Sequence, residues 1–266
     1  MADLWDDLLA CLDLGELPAA GVFDGTNLQL AYRRLFGGQL IGQFAVAAGL
    51  TCPGKSVKSL HVLFPREGRA DEPVRYLVER HHEGGTFGTL SIEARQSRGV
   101  IATASVSMHA AEDGPARQAV APVREVPAES QPAEFSLLPF EARTNVSLDA
   151  REAAAPEFSL WIRIPDVSPR LGPALAAYAT DLTVIGTALR AVAGVSQADA
   201  GTAFASAVTS HTVWFHRPFR TDAWLLLRQR SPILAHGRCF GRGDILTADG
   251  TLVASYAQEA LLRLGQ

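Results

Sequence analysis

The sequence predicts an α+β chain made of two copies of one unit, each a buried helix wrapped by a meander of antiparallel strands. Three observations carry this. Residues 40–48 are apolar on nearly every face, and a helix without a polar face has to be buried. Four strand-like runs follow in close succession, divided by short turns rich in glycine, arginine and glutamate. The same features then recur in the same order about 144, 151 and 152 residues later, which an internal duplication explains.

The elements follow in chain order. Trp5, Leu8, Leu9 and Leu12 fall at helical spacing with Asp6 and Asp7 on the other face, so residues 4–14 form a short amphipathic helix. The buried helix, residues 40–49, opens after Gly37-Gly38 and closes at Gly49. Strands are expected over 59–64, 74–80, 86–96 and 100–109. Residues 112 to about 135 then carry Pro115, Pro122, Pro127 and Pro132, and proline lacks the N–H that a helix interior or a central strand requires. This is a linker. The division expected is a first unit over 1–112, a proline-rich linker over 113–138 and a second unit over 139–266.

The second half repeats the first. Residues 181–194 form another largely apolar stretch ending at glycine, with the buried helix over 182–194. Ile185-Gly186 lies on Ile41-Gly42, the run Val213 to Arg217 on Val62 to Arg66, and Val253-Ala254-Ser255 on Ile101-Ala102-Thr103. In this register Gly37 matches Asp181.

Composition narrows the function classes. The chain has 266 residues, 47% hydrophobic and 20% charged, with a formal net charge of −4. A nucleic-acid binder normally shows a basic stripe, and this chain has none. Cys11, Cys52 and Cys239 form neither a CxxC pair nor a Cys/His metal spacing, so they read as free thiols of a reducing compartment. No apolar run approaches the ~20 residues of a membrane span, and the acidic start does not resemble a signal peptide. The cytoplasm is the expected location. Nucleophile elbows of the GxSxG type, phosphate loops and zinc spacings are missing from the sequence.

Several strings are more specific. Arg34-Leu35-Phe36-Gly37-Gly38-Gln39, Leu60-His61-Val62-Leu63-Phe64, the run from His211 through Trp214-Phe215-His216-Arg217-Pro218 to Phe219, and Asp249-Gly250 through Glu259 together resemble the acyl-CoA thioesterase II family. The resemblance spans nearly the whole chain and implies a double hotdog fold. It also implies a water held by an Asp at the start of the second buried helix, a Ser or Thr on a strand and a Gln on the last strand. The Asp position matches Asp181 and the Gln position Gln258. The hydroxyl position falls on Val208, a departure from the pattern, and the neighbouring Thr209 is taken as the substitute. Ser210 would share the face of Val208 in a regular strand, whereas Thr209 needs a bulge.

In this reading the Asp takes a proton from the water and the Gln carbonyl accepts the second hydrogen. The first unit carries Gly37 in place of the Asp and Val106 near the place of the Gln, so it is expected to be chemically empty. Substrate contacts are assigned to Gly37, Gly38, His61, His211 and Trp214; close packing or a satisfied core histidine competes with each. Arg66, Arg217, Arg238 and Arg242 are candidates for the CoA phosphates. Neither metal nor cofactor is implied. The partner expected is a small-molecule acyl-CoA, with neither nucleic acid nor membrane, and self-association is left open. A hotdog hydratase would need an Asp–His pair near the helix, and residues 181–194 contain no histidine. The other rival is an acyl-CoA-binding or regulatory double hotdog without turnover.

Overall fold

The computed structural model describes residues 4–30, 33–124 and 126–265. In chain order the elements are α1 (Leu4–Leu12), β1 (Gly15–Glu16), β2 (Val22–Gly25), α2 (Gly37–Thr51), β3 (Ser56–Leu63), β4 (Val74–Glu83), β5 (Phe87–Gln96) and β6 (Gly99–His109). After the linker come β7 (Gln131–Pro132), β8 (Glu141–Thr144), β9 (Glu157–Arg163), α3 (Gly172–Thr180) and α4 (Val184–Leu189). The chain ends in four long strands, β10 (Phe204–Phe215), β11 (Leu225–Ala235), β12 (Arg238–Thr247) and β13 (Leu252–Leu264).

The chain divides into two compact units. The first comprises the described residues of Met1–Arg117 with Val167–Ala179 and Thr212–Phe215, and the second Gln118–Asp166, Thr180–His211 and His216–Gln266. In the first unit the strands run in the order β1-β2-β4-β5-β6-β3. In the second they run β10-β13-β12-β11-β9-β8-β7. Matching β3 with β10, β6 with β13, β5 with β12, β4 with β11 and β2 with β9 makes the two orders the same. The sequence repeat is thus a repeat of topology.

The first unit buries Ile41, Phe44, Ala47 and Ala48 of α2 completely, which accounts for the all-round apolarity of this helix. Gln39 and Gln43 are buried with them and must therefore be paired. Gln43 Nε2 donates to the carbonyls of Cys11 and Thr26, and the Tyr76 hydroxyl donates to Gln43 Oε1 at 2.6 Å. Gln39 Oε1 accepts from the Leu28 N–H. The equivalent positions in the second unit are Thr183 and Thr187. There Gln229 Nε2 donates to both hydroxyls, and the Tyr256 hydroxyl donates to Gln229 Oε1, again at 2.6 Å. Each unit keeps a tyrosine–glutamine bond beneath its helix.

Two expectations need correction. The helix expected over 182–194 is only the six-residue α4, Val184–Leu189, and before it, across residues 181–183, stands a further helix that the pattern did not indicate, α3 over Gly172–Thr180. The alanine-rich Gly172–Thr180 has high helix propensity with a proline in its first turn, where the missing N–H is harmless. Thr180, Asp181 and Thr183 then offer side-chain hydrogen bonds that compete with the helical backbone. Thr183 is engaged by Gln229 and flanks α4 without capping it through its side chain. The linker, expected to be without strand, contains β7. Pro132 is tolerated because β7 lies at a sheet edge, where an absent N–H breaks no ladder bond.

Candidate active site

Asp181 sits at the interruption between α3 and α4, with a side chain only 2% exposed. It is not the N-terminal cap of a long helix. Its neighbour in the interior is His211 of β10, whose side chain is fully buried. His211 Nδ1 lies 2.8 Å from Gln258 Oε1 and 3.9 Å from Asp181 Oδ1. The other ring nitrogen, Nε2, lies 2.9 Å from Thr180 Oγ1. Asp181 and Gln258, far apart in sequence, therefore meet at one imidazole nitrogen within the second unit.

The strands explain this convergence. Tyr256 and Gln258 are two residues apart on β13, so they share a face, and both are buried. The Tyr256 ring stacks on His211 with centroids 6.3 Å apart and planes 14° from parallel. Opposite them on β12 stand Gly243 and Gly241, in register with Tyr256 and Gln258. A Cβ at Gly243 would come within 2.5 Å of the Tyr256 ring, and one at Gly241 within 2.4 Å of Val184 Cγ1 on α4. The Gly-Arg-Gly run lets the tyrosine lie against the strand and α4 approach the sheet. Burial drives the Tyr256 phenol pKa far up, so the group stays a neutral donor to Gln229.

Gln258 is 1% exposed. Its Oε1 is taken by His211, whereas its Nε2 has no hydrogen-bond partner among the described residues. This reverses the expected use of the amide, whose carbonyl was expected to be free for water. A buried carboxylate and a buried amide N–H₂ give the site a proton acceptor and an oriented donor.

β10 changes phase as it enters the site. Phe204 faces inward with Ala205 and Ala207 exposed, but His211 and Val213 face inward further on, with Trp214 exposed. Between these two stretches Thr209 is half-buried. The Thr209 hydroxyl donates to the Glu259 carbonyl at 3.0 Å, one residue beyond Gln258. Val208 and Ser210 are half-buried.

The remaining sequence candidates lie in the first unit, apart from His211. Gly37 opens α2, which has no side-chain N-cap. At Gly38 a Cβ would meet the Phe36 ring at 2.5 Å and the Tyr178 carbonyl at 2.6 Å, so close packing alone demands glycine there. His61 Nδ1 is 2.6 Å from Thr212 Oγ1. Trp214 is 42% exposed. His211, for which a substrate contact and a satisfied core histidine compete, is enclosed, with its ring nitrogens within hydrogen-bond distance of Gln258 and Thr180. The Asp–His proximity that residues 181–194 lacked is thus supplied by a strand. Thr180 and Tyr256 were not among the sequence candidates; the i, i+2 spacing of Tyr256 and Gln258 was the signal available for the latter. Among the described residues no cluster of three or more His, Cys, Asp or Glu could hold a metal, and no helix is long and apolar enough to cross a membrane.

A helix wrapped by an antiparallel sheet, present twice in one strand order, is the double hotdog fold. Residues 29–109 match the family model for the acyl-CoA thioesterase N-terminal domain and residues 112–262 that for the C-terminal domain. The chain belongs to the acyl-CoA thioesterase family and is a thioester hydrolase. It is 28% identical to acyl-CoA thioesterase 2 of Haemophilus influenzae over the whole of both chains. It is 29% identical to acyl-coenzyme A thioesterase 8 of Homo sapiens, covering 91% of this chain and 85% of that protein. The crystal structure of an acyl-CoA thioesterase II from Mycobacterium marinum superposes with a TM-score of 0.80 at 32% identity, over 98% of this chain and 99% of that one.

Proposed function

We propose that this chain hydrolyses acyl-CoA to a free fatty acid and CoA by direct attack of a water molecule held by Asp181, Gln258 and Thr209 in its second unit. The observation that carries this reading is the buried meeting of the Asp181 carboxylate and the Gln258 amide at His211. The carboxylate takes a proton as the water attacks the thioester carbonyl carbon. The Gln258 N–H₂ donates to the water oxygen. Thr209, whose proton is given to Glu259, has lone pairs left to accept the second water hydrogen. The tetrahedral intermediate collapses, and the CoA sulfur leaves with the proton that Asp181 took.

The first unit carries the fold without the chemistry. Gly37 and Val106 stand where Asp181 and Gln258 stand in the second, and neither can activate water. The division proposed is a first hotdog over 1–112, a linker over 113–138 and a catalytic hotdog over 139–266. Gly37, Gly38, His61 and Trp214 are proposed as substrate contacts, and the cytoplasm as the place of action.

The test is CoA release from acyl-CoAs of several chain lengths, run beside binding of a non-hydrolysable thioether analogue, for the wild type and Gln258→Ala. Release that falls in the variant while analogue binding persists supports the proposed site. Binding without release by the wild type would instead make the chain a binding protein.

A further inference from the structure

The proposed reaction gives His211 no part, yet its imidazole lies against Gln258, Asp181 and Thr180. Its Nδ1 has two oxygen neighbours, Gln258 Oε1 at 2.8 Å and Asp181 Oδ1 at 3.9 Å. Were Nδ1 unprotonated, its lone pair would stand beside a carboxylate in a buried place, where such repulsion is weakly screened. With a proton on Nδ1, the same carboxylate attracts it. The charge of Asp181 therefore selects the tautomer with hydrogen on Nδ1, and Nε2 accepts from the Thr180 hydroxyl at 2.9 Å.

That tautomer decides the amide. An Nδ1–H needs an acceptor, so Gln258 must present Oε1 to His211, which leaves Nε2 as its only free end. We infer that His211 is a positioning residue that locks Gln258 as a hydrogen-bond donor to the attacking water. The inference rests on the water site proposed above and adds its polarity: Gln258 donates, and the two water hydrogens go to Asp181 and Thr209. With the amide turned over, Gln258 would accept a water hydrogen and compete with Asp181 for it. Tyr256 holds the ring plane by stacking, and its own hydroxyl is tied to Gln229. The imidazole is thus fixed on its face and at both nitrogens, as a group needs to be if it is to orient another.

The tautomer can be read directly on the wild-type protein by long-range ¹H–¹⁵N correlation, with His211 assigned by its absence from the His211→Asn spectrum. Hydrogen on Nδ1 is expected, and hydrogen on Nε2 alone overturns the inference. Two substitutions supply the kinetic readout. Asn places its amide nitrogen near the former Nδ1 and can still donate to Gln258, whereas Gln reaches toward the former Nε2 and cannot. His211→Asn is expected to keep kcat within about tenfold of wild type. His211→Gln is expected to lose on the order of 10²–10³ in kcat, the usual effect of removing one oriented donor, with KM little changed. Equal losses in both variants that follow their unfolding midpoints would mean a purely structural histidine. Asp181→Asn and Gln258→Ala separate the two proposals. If these keep turnover, the water site itself is wrong. If they lose turnover while His211→Gln is as fast as wild type, only the positioning role falls.

Discussion

Replacing Asp181 by Asn keeps the shape of the side chain and removes its ability to take a proton. General-base help is worth on the order of 10²–10⁴ in rate, which is about 2.7–5.4 kcal/mol of barrier. The structure points to the upper part of that range. The carboxylate is 2% exposed, so bulk water has little access to replace it as base, and the imidazole beside it, His211, has its nitrogens within hydrogen-bond distance of Thr180 and Gln258. The loss should appear in kcat, with KM changed no more than a few-fold, because the group acts on water rather than on the acyl chain. CoA release is followed with a thiol reagent at saturating and limiting acyl-CoA. Cys11, Cys52 and Cys239 are buried, which keeps the protein's own thiols from contributing background. Melting curves of the two proteins should lie within a few degrees of each other and so exclude unfolding as the cause. A variant that keeps more than a tenth of the wild-type kcat refutes the base role and leaves Asp181 as a structural group of the helix interruption.

Other predictions follow from the same geometry. Gly38→Ala should destabilise the protein by about 1–3 kcal/mol through overpacking, since its Cβ would stand 2.5–2.6 Å from the Phe36 ring and the Tyr178 carbonyl; a stability unchanged in urea titration would show that the helix start can give way. Thr209→Val should lower kcat and also loosen β10 from β13 by about 1 kcal/mol, because the bond to the Glu259 carbonyl is lost. Val208→Thr should raise the rate of CoA release by restoring the missing hydroxyl, and no gain beside a silent Thr209→Val would dismiss the three-ligand picture. The thiols set an alkaline limit. Burial pushes Cys11 from 9.0 up to about 12 and Cys239 up to about 11, and it raises Cys52 as well. A raised folded pKa means that stability is whole below pH 9 and drains as pH climbs toward 11 and 12, at up to about 1.4 kcal/mol per pH unit for each thiol. Urea midpoints measured from pH 8 to 11 should fall accordingly, and Cys11→Ala should flatten the slope.

The repeat was legible from residues alone because it lives in local pattern. A greasy helix, four alternating runs and glycine turns recur at near-constant separation, and burial of one face per element then follows from the hydrophobic effect. α1, α2 and β3 to β6 fall within a few residues of where the pattern puts them. The family strings likewise carried Asp181 and Gln258 without any geometry.

What the pattern could not contain was decided by tertiary contact. Residues 181–194 read as one continuous helix because each is compatible with one. Only Val184–Leu189 of them is helical, and the Thr183 hydroxyl just before it is bound by Gln229, from a strand more than forty residues away. The sequence gives no sign that Gly241 and Gly243 make room for Val184 and the Tyr256 ring. For His211 the sequence left a substrate contact and a satisfied core histidine both open, because a string of residues does not say which face of a strand turns inward. Residue types and local periodicity thus determined the fold class and the duplication, and the family resemblance supplied Asp181 and Gln258 as candidates. The direction of the amide, the enclosure of His211 and the break that exposes Asp181 to both depended on packing between elements distant in sequence, because a hydrogen bond is specified by position in space and not by spacing along the chain.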